Sequence, residues 1–519
     1  MLFVLYGFNM LHLTRRAKAY TLPIADGVRG KPDVAVHLPI FDELYVVSRL
    51  LESCARMADH YGKNLVRICV IDDSDDETSA EIEREAEQYR KHLYQVEVLR
   101  RATRKGFKAG ALQAALERTN EPIVAIFDAD FEPPPDFLDR TVPHLQGDEK
   151  VGFVQTRWTH LDNAYNAITE TLALGVDMHF LLEQPGRSSS GYLMNFNGSA
   201  GLLRREAIIK AGGWESDTLA EDLDLSYRMQ LAGYRAVYLE DVEVPAELPP
   251  TIVSFKRQQE RWARGSLQTA RKLMPAVMAS TVLTKRQKFE ALVHLTYYLV
   301  HPLMVFSFLL ALVATFLNID VINVAVKVTL PRVTLGSQAA YEGLVVAPWV
   351  VFGLLIVGST IAVLFSCVEA VRIQRLNLLR NVKRIILLVI IGYGISISNT
   401  GSAFAGLFSR KTGEFTRTPK YAIEGKNGCW RGKKYQMALN RVTALEAFAT
   451  SAGIAGMFWG LETGNIGIVP ILAVYVVGYV SVLTLTLSQT IRSGPRGKFS
   501  GMRTTLHTLQ NQPRELQRP

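Results

Sequence analysis

Cysteine is scarce. Four occur in 519 residues, at Cys54, Cys69, Cys367 and Cys429, and no two form a CxxC pair. That excludes a disulfide framework and a thiolate metal site, and it suits a catalytic domain in the reducing cytosol. No zinc-finger spacing or RNA-binding signature is present, so nucleic acid is not expected as a partner despite a net charge of +9. Internal repeats and low-complexity segments are also lacking, which excludes a solenoid and a compositionally biased linker. No basic residues precede the apolar run at residues 1–13, and no small-residue cleavage site follows it. It is therefore not a signal peptide. It is also shorter than the roughly 20 apolar residues a spanning helix needs. With Arg15, Arg16 and Lys18 just after it, residues 1–20 are expected to be the cytoplasmic end of a first span whose beginning is missing.

What is present falls into two halves. Hydrophobic residues make up 48% and charged residues 21%. Residues 31–275 read as a soluble α/β domain, and residues 276–490 alternate long apolar runs with basic loops. A basic cytosolic tail, 491–519, follows. Between residues 33 and 158, short β-rich runs alternate with helical ones. The runs are 33–41, 66–74, 95–101, 123–130 and 151–158, and helix-like stretches lie at 81–93 and 108–118. Several runs are almost continuously apolar, as expected for strands covered on both faces. Such alternation predicts a mostly parallel, doubly wound sheet, whose ligands bind at the carboxyl ends of strands.

Spans are expected near 296–317, 344–368, 443–461 and 466–489. A further apolar stretch, 385–408, is small and polar for a lipid-facing helix. The loop after it, 409–442, holds nine Lys or Arg against two Glu. A full crossing at 385–408 would place one basic loop outside, against the positive-inside rule, so this stretch is expected to be interfacial or re-entrant. The basic charge then belongs to cytoplasmic loops facing anionic membrane lipids.

The polar clusters sit where strands end. Asp128 and Asp130, at i and i+2 after the run Ile123–Phe127, can share Mg²⁺ or Mn²⁺, which prefers oxygen ligands and neutralises a diphosphate. Asp72 and Asp73 follow another strand, and one of them could bond the base or ribose of a nucleotide. Asp75 and Asp76 could supply the helix cap that would otherwise explain the run. Lys105 to Gly110 opens a helix, where backbone N–H groups and lysines suit a diphosphate; a basic surface turn is the plainer account. Glu221 and Asp222 begin an amphipathic helix, a position acids favour without any function. An inverting sugar transfer needs one carboxylate as general base, and Asp222 is the candidate. Gln258, Arg261 and Trp262 lie on a helix just ahead of the apolar half. Trp offers a flat face to a sugar ring and Arg a fixed charge to phosphate, although an interfacial anchor would look similar.

Taken together and in order, Asp72/Asp73, Asp128-Ala129-Asp130, Glu221-Asp222 and Gln258…Arg261-Trp262 resemble the D, DxD, (T/E)ED, QxxRW series of processive family-2 glycosyltransferases. The stretches HLPIFDE (37–43), RKGFKAGAL (104–112), FNGSAG (196–201) and QQERWARG (258–265) resemble the cellulose synthase-like A group of mannan and glucomannan synthases and its prokaryotic relatives. The resemblance covers about residues 33–275. It implies a GT-A cytosolic domain joined to an α-helical transmembrane domain in the cell membrane. It implies hexose transfer from GDP-mannose, UDP-glucose or GDP-glucose to a growing β-1,4-linked polysaccharide. A membrane-lipid acceptor, and an export channel with a degenerate domain, are the competing readings.

By the same resemblance, Pro39, Glu43, Asp72 or Asp73, Lys108, Asp128, Gln258 and Arg261 bind the donor. Asp130, with Asp128, holds the metal. Asp222, with Glu221 beside it, is the base. Trp262, Asn197 and Gly198 meet the acceptor. Phe415, Thr418 and Lys420 resemble a gating loop (409–425) of the FxVTxK type. Two residues depart from the family pattern: Arg417 replaces the usual Val, and Asp42 replaces the Asn that precedes Glu43. No cyclic-dinucleotide-binding RxxxR segment is appended, so that mode of regulation is not expected.

Overall fold

The computed structural model describes residues 2–25, 30–319, 326–331, 341–346, 360–409, 411–413, 417–435 and 442–492. All five expected β runs form strands: β1 (Val34–Ile40), β2 (Val66–Asp72), β3 (Gln95–Arg100), β4 (Ile123–Ile126) and β5 (Val151–His160). β6 (Gly201–Arg204) and β7 (Arg235–Ala246) complete a seven-stranded sheet in the order β3-β2-β1-β4-β6-β5-β7. β1 pairs in parallel with β2 and β4, and β5 with β7. β6 runs antiparallel to both β4 and β5. The sheet is therefore mixed, and a single short strand reverses it at its centre.

Helices cover both faces of this sheet. They are α2 (Val47–Tyr61), α3 (Thr78–Lys91), α4 (Phe107–Arg118), α5 (Phe137–Gln146), α6 (Ala167–Met178), α7 (Gln184–Ser190), α8 (Arg205–Lys210) and α9 (Glu221–Leu231), while α1 (Leu2–Ala17) and the later α10 (Ile252–Ala279), α11 (Lys285–Leu295) and α12 (Val300–Phe316) pack on other helices. One core joins Val36, Leu38, Val70 and Ala125 of the strands to Leu50, Cys54 and Met57 of α2. On the other face, Leu112 and Leu116 of α4 pack with Phe153, Phe180 and Met229. Burying apolar area of this kind is the main favourable term, worth about 25 cal/mol per Å². Cys54, Cys69 and Cys367 are buried free thiols and Cys429 is exposed.

Three described helical stretches are long and apolar enough to cross a membrane: Tyr297–Phe316, Val442–Glu462 and Ile466–Ile491. They leave large side chains outside any core, with Phe306 59%, Phe448 73% and Phe458 66% exposed. Water covers such surface poorly; lipid covers it well. The span expected at 344–368 begins differently. Residues 341–346 pair as a strand with 326–331, 347–359 lie outside the described residues, and a helix runs over Ala362–Ile373. The ambiguous stretch is a bent pair, Leu378–Gly394 and Ser396–Phe408, with a 52° break. At the break, a Cβ on Gly394 would lie 2.5 Å from Gly478 O, so the helix Val469–Arg492 packs backbone to backbone there. Beyond it, Ser396 bonds Tyr479 at 3.1 Å and Asn399 bonds His301 at 2.9 Å. Its polar residues are thus spent on protein contacts.

Candidate active site

One cavity, about 170 Å³ in volume, opens at the carboxyl ends of β1, β2 and β4, beside α9 and α10. Most of the separated sequence candidates meet in its wall: Pro39, Glu43, Asp73, Lys108, Asp128, Asp130, Asn197, Glu221, Asp222, Gln258, Arg261, Trp262, Thr418 and Lys420. Two adjacent carboxylates part company here. Asp73 lines the cavity and is held by the Arg101 guanidinium, whose Nε donates to Asp73 Oδ1 at 2.8 Å. Asp72 is buried, with its Oδ1 accepting from Ser74 N at 2.9 Å. It shapes the turn and does not line the cavity. Phe415 lies outside the described residues.

Lys108, on the first turn of α4, is the electrostatic centre. Its Nζ stands 2.5 Å from Asp128 Oδ1, 4.0 Å from Glu221 Oε1, and donates to Gly198 O at 2.9 Å. Burial disfavours this ammonium, but Asp128, Glu221 and Asp222 outweigh it and raise its pKa. It stays a cation. Burial pushes Glu221 and Asp222 above the ordinary carboxylate range; the Asp222 charge adds to the rise at Glu221, and Lys108 opposes it at both. Asp222 Oδ1 accepts from Leu223 N at 2.8 Å, which fixes the carboxylate at the start of α9.

Two glycines make this convergence possible. Gly198 has φ of +82°, and a Cβ there would lie 2.6 Å from Asp222 Oδ2. Gly265 sits against α9, where a Cβ would lie 2.7 Å from Ala220 N. That close approach brings α10, with Gln258, Arg261 and Trp262, beside Glu221 and Asp222.

The loop after the bent helix pair closes the cavity. Lys420 Nζ donates to Asp130 Oδ2 at 2.6 Å and to Glu247 O at 2.9 Å. Tyr421 N donates to Glu247 Oε2 at 2.9 Å. Arg49, on α2, gathers Glu132, Glu247 and Glu424 at 2.8, 2.7 and 3.0 Å, which ties the loop to the sheet domain. The two departures from the family pattern touch each other: Arg417 donates to the Asp42 carbonyl and lies 3.6 Å from Glu43 Oε1. Burial pushes Glu43 up to about 7, Arg417 opposes that, and Asp130 and Asp128 add to it.

Three acids, Glu43, Asp128 and Asp130, therefore face one cavity. Asp130 is buried and also accepts from Glu247 N at 3.1 Å. The aspartates among them offer the hard oxygens that a divalent cation such as Mg²⁺ or Mn²⁺ takes, and Lys108 and Lys420 stand on them here. Among the described residues, the three acids whose oxygens lie within one ion's reach of one another are Glu215, Asp217 and Asp224, away from this cavity and held by Lys272 Nζ at 2.5, 2.7 and 3.0 Å.

Sequence reasoning passed over several wall residues. Arg104, Trp158 and Glu247 line the cavity and sit inside stretches that were legible as motifs. His160 ends β5, and its place at a strand terminus was the available signal. The Arg49 cluster had none, because its partners lie up to 375 residues away.

A mixed α/β sheet with acids and lysines gathered at its strand ends is a GT-A-like fold. Residues 123–362 match the family described as Glycosyl transferase family group 2. A probable glucomannan 4-beta-mannosyltransferase 7 of Oryza sativa subsp. japonica is 36% identical over 284 residues, covering 53% of this chain and 48% of the relative. Glucomannan 4-beta-mannosyltransferase 7 of Arabidopsis thaliana is 32% identical over 319 residues, covering 61% and 55%. The chain thus spans about half the length of the curated relatives it matches. The mannosyltransferase PcManGT from Pyrobaculum calidifontis, solved in complex with GDP-Man and Mn2+, aligns over 79% of this chain and 98% of its own, at 18% identity and a TM-score of 0.47.

Proposed function

We propose that this protein is a membrane-embedded inverting hexosyltransferase. It moves mannose from GDP-mannose, or glucose from UDP-glucose, onto a growing β-1,4-linked mannan or glucomannan. Its catalytic domain faces the cytosol, and the polymer leaves through the membrane domain. The observation that carries this reading is Lys108, held between Asp128 on one side and Glu221 with Asp222 on the other, in a cavity bordered by Trp262. The relatives' names favour mannose.

In the reaction, Asp222 takes the proton of the acceptor hydroxyl. The oxygen forms a bond to the sugar's anomeric carbon on the face opposite the diphosphate, and the bond from that carbon to the diphosphate oxygen breaks with inversion. A carboxylate with a raised pKa is a better base than an ordinary one. Lys108 and Arg261 meet the developing diphosphate charge in a site partly closed to water, where fixed cations act strongly. A divalent ion held by Asp130 and Asp128 would supply further neutralisation of the same group. Asp73 and Pro39 border the nucleoside end, and Trp262, with Asn197 and Gly198, the acceptor end.

The test is direct. The protein is purified in detergent and given Mg²⁺ or Mn²⁺ with each labelled donor in turn, and products are sized before and after β-mannanase or cellulase. A long product cut by β-mannanase is expected. A single sugar on an organic-extractable lipid would replace the polymer reading, and no transfer from any donor would sink the transferase reading.

A further inference from the structure

Between α6 and α7 the chain makes one π turn, His179–Glu183, closed by Gln184 N donating to His179 O. A π turn inserts a residue into a helix at some cost and is frequent at functional sites. This one aims two side chains. Glu183 Oε2 meets His179 Nδ1 at 2.8 Å, and His179 Nε2 meets Asn197 Oδ1 at 3.1 Å. His179 is also packed edge-on against Phe180, with ring centroids 4.9 Å apart.

Asn197 is held on other sides as well. Its N–H donates to Gln155 Oε1 at 2.8 Å, and Asn195 Nδ2 donates to its Oδ1. Both bonds on the side chain fall on Oδ1. Its Nδ2 is buried with no partner among the described residues, while Asn197 itself lines the cavity. The next residue, Gly198, abuts Asp222 Oδ2. A buried amide donor left open beside the general base is costly unless a ligand completes it.

We infer that Glu183 and His179 are positioning residues for acceptor binding: they lock the Asn197 amide so that its Nδ2–H donates to a hydroxyl oxygen of the acceptor sugar next to Asp222. With both ring nitrogens donating, Nδ1–H to Glu183 and Nε2–H to the amide oxygen of Asn197, the imidazolium form of His179 is what fixes the amide, and the amide nitrogen is left for the substrate. Supporting groups of this kind decide how accurately the residues that touch substrate are placed. The inference rests on the transferase reading and deepens it by assigning what selects a sugar acceptor over water.

The experiment compares nucleotide release with sugar incorporation, using labelled GDP-mannose and the full chain in detergent. In the unaltered protein the two should match. In His179→Ala and Asn197→Ala, incorporation per nucleotide released should fall about ten-fold, as expected for one lost hydrogen bond in the transfer step. The donor KM should move less than about two-fold. His179→Gln, which keeps a donor toward Asn197, should recover much of the loss. The double variant H179A/N197A should be no worse than N197A. Equal losses of release and incorporation, together with a lowered melting midpoint and no recovery in His179→Gln, would assign His179 to folding and overturn the inference. Tight coupling retained in Asn197→Ala would overturn it too. No nucleotide release by the unaltered protein with any donor would instead refute the transferase reading on which it stands.

Discussion

At the residue scale, chemistry and burial pull against each other at Asp222. Water would stabilise its charged form, and the site removes that water, so its pKa rises. A general base works only when ionised. Activity should therefore fall as pH drops through this raised value, and the acidic limb of kcat/KM should lie above the ordinary carboxylate range. A pH–rate profile checks it, and a limb at an unshifted carboxylate value would remove Asp222 as base. Asp222→Asn keeps the shape and loses the proton acceptor, so kcat should drop by about 10²–10⁴. Binding of the donor nucleotide, measured by calorimetry, should survive. A rate within a few-fold of the unaltered protein would sink the assignment.

Glu43, Asp128 and Asp130 make the same point for the metal. Lys108 and Lys420 attend the two aspartates at 2.5 and 2.6 Å, but two ammonium groups are a poor match for a bound diphosphate's full charge. A chelator should abolish transfer, and Mn²⁺ or Mg²⁺ should restore it. Transfer that persists through exhaustive chelation would remove the metal from the proposal.

At the element scale, α10 connects the two halves. Its first turns carry Gln258, Arg261 and Trp262 to the cavity, and it sits close enough to α9 that only glycine fits at position 265. Gly265→Leu should push α10 outward and cut activity sharply while the sheet domain stays folded, as circular dichroism would report. The same helix buries Lys256 against Glu446, the pair lying 2.6 Å apart and almost wholly out of solvent. Glu446 stands in the first turns of the apolar helix Val442–Glu462. Removing one partner leaves a buried charge alone, which costs about 3–5 kcal/mol. Lys256→Met should therefore lower the melting midpoint in detergent. K256M/E446L, which removes both charges, should recover most of it. If the double variant is as unstable as the single, the pair is not what joins these helices.

The same scale shows why some elements were legible and others were not. β1, β2 and β4 announce themselves as apolar runs because both their faces are covered, and the edge strand β3 shows only the alternation of Val96 and Val98 with polar residues. β6 is four residues, Gly201–Arg204, too short for any period to show. β7 carries Glu240, Asp241 and Glu243 within its length, and its register against β5 shifts between Thr156 and Arg157. Both strands are held by neighbours far away in the chain, so local pattern could not announce them. The bent pair is an intermediate case. Its small and polar residues predicted something other than a plain crossing, but the angle follows from Gly394 lying against Gly478.

At the scale of the whole molecule, a water-covered α/β domain is fused to helices whose outward side chains suit lipid. The protein should sediment with membranes, resist alkaline carbonate and be released by detergent. Release by carbonate alone would contradict three crossing helices. The loop 417–435 then has a defined place. It reaches back from the apolar half onto the sheet domain through Arg417, Lys420, Tyr421 and Glu424.

By itself the sequence determined the class of fold, the membrane half, and the residues able to do the chemistry. Strand ends, carboxylate spacing and apolar length are local properties, and they are written locally. Tertiary structure decided which of those residues meet. Asp72 and Asp73 were equivalent candidates until the end of β2 turned one beneath the sheet and the other into the cavity, because neighbouring residues along a strand face opposite ways. Resemblance put Lys420 in a gating-type loop, but its partner Asp130, 290 residues earlier in the chain, was set by packing alone. His179 and Asn197 carried no pattern linking them, and only the π turn brings ring and amide together. Contacts between distant segments depend on how whole elements pack, and no short window of sequence contains that information.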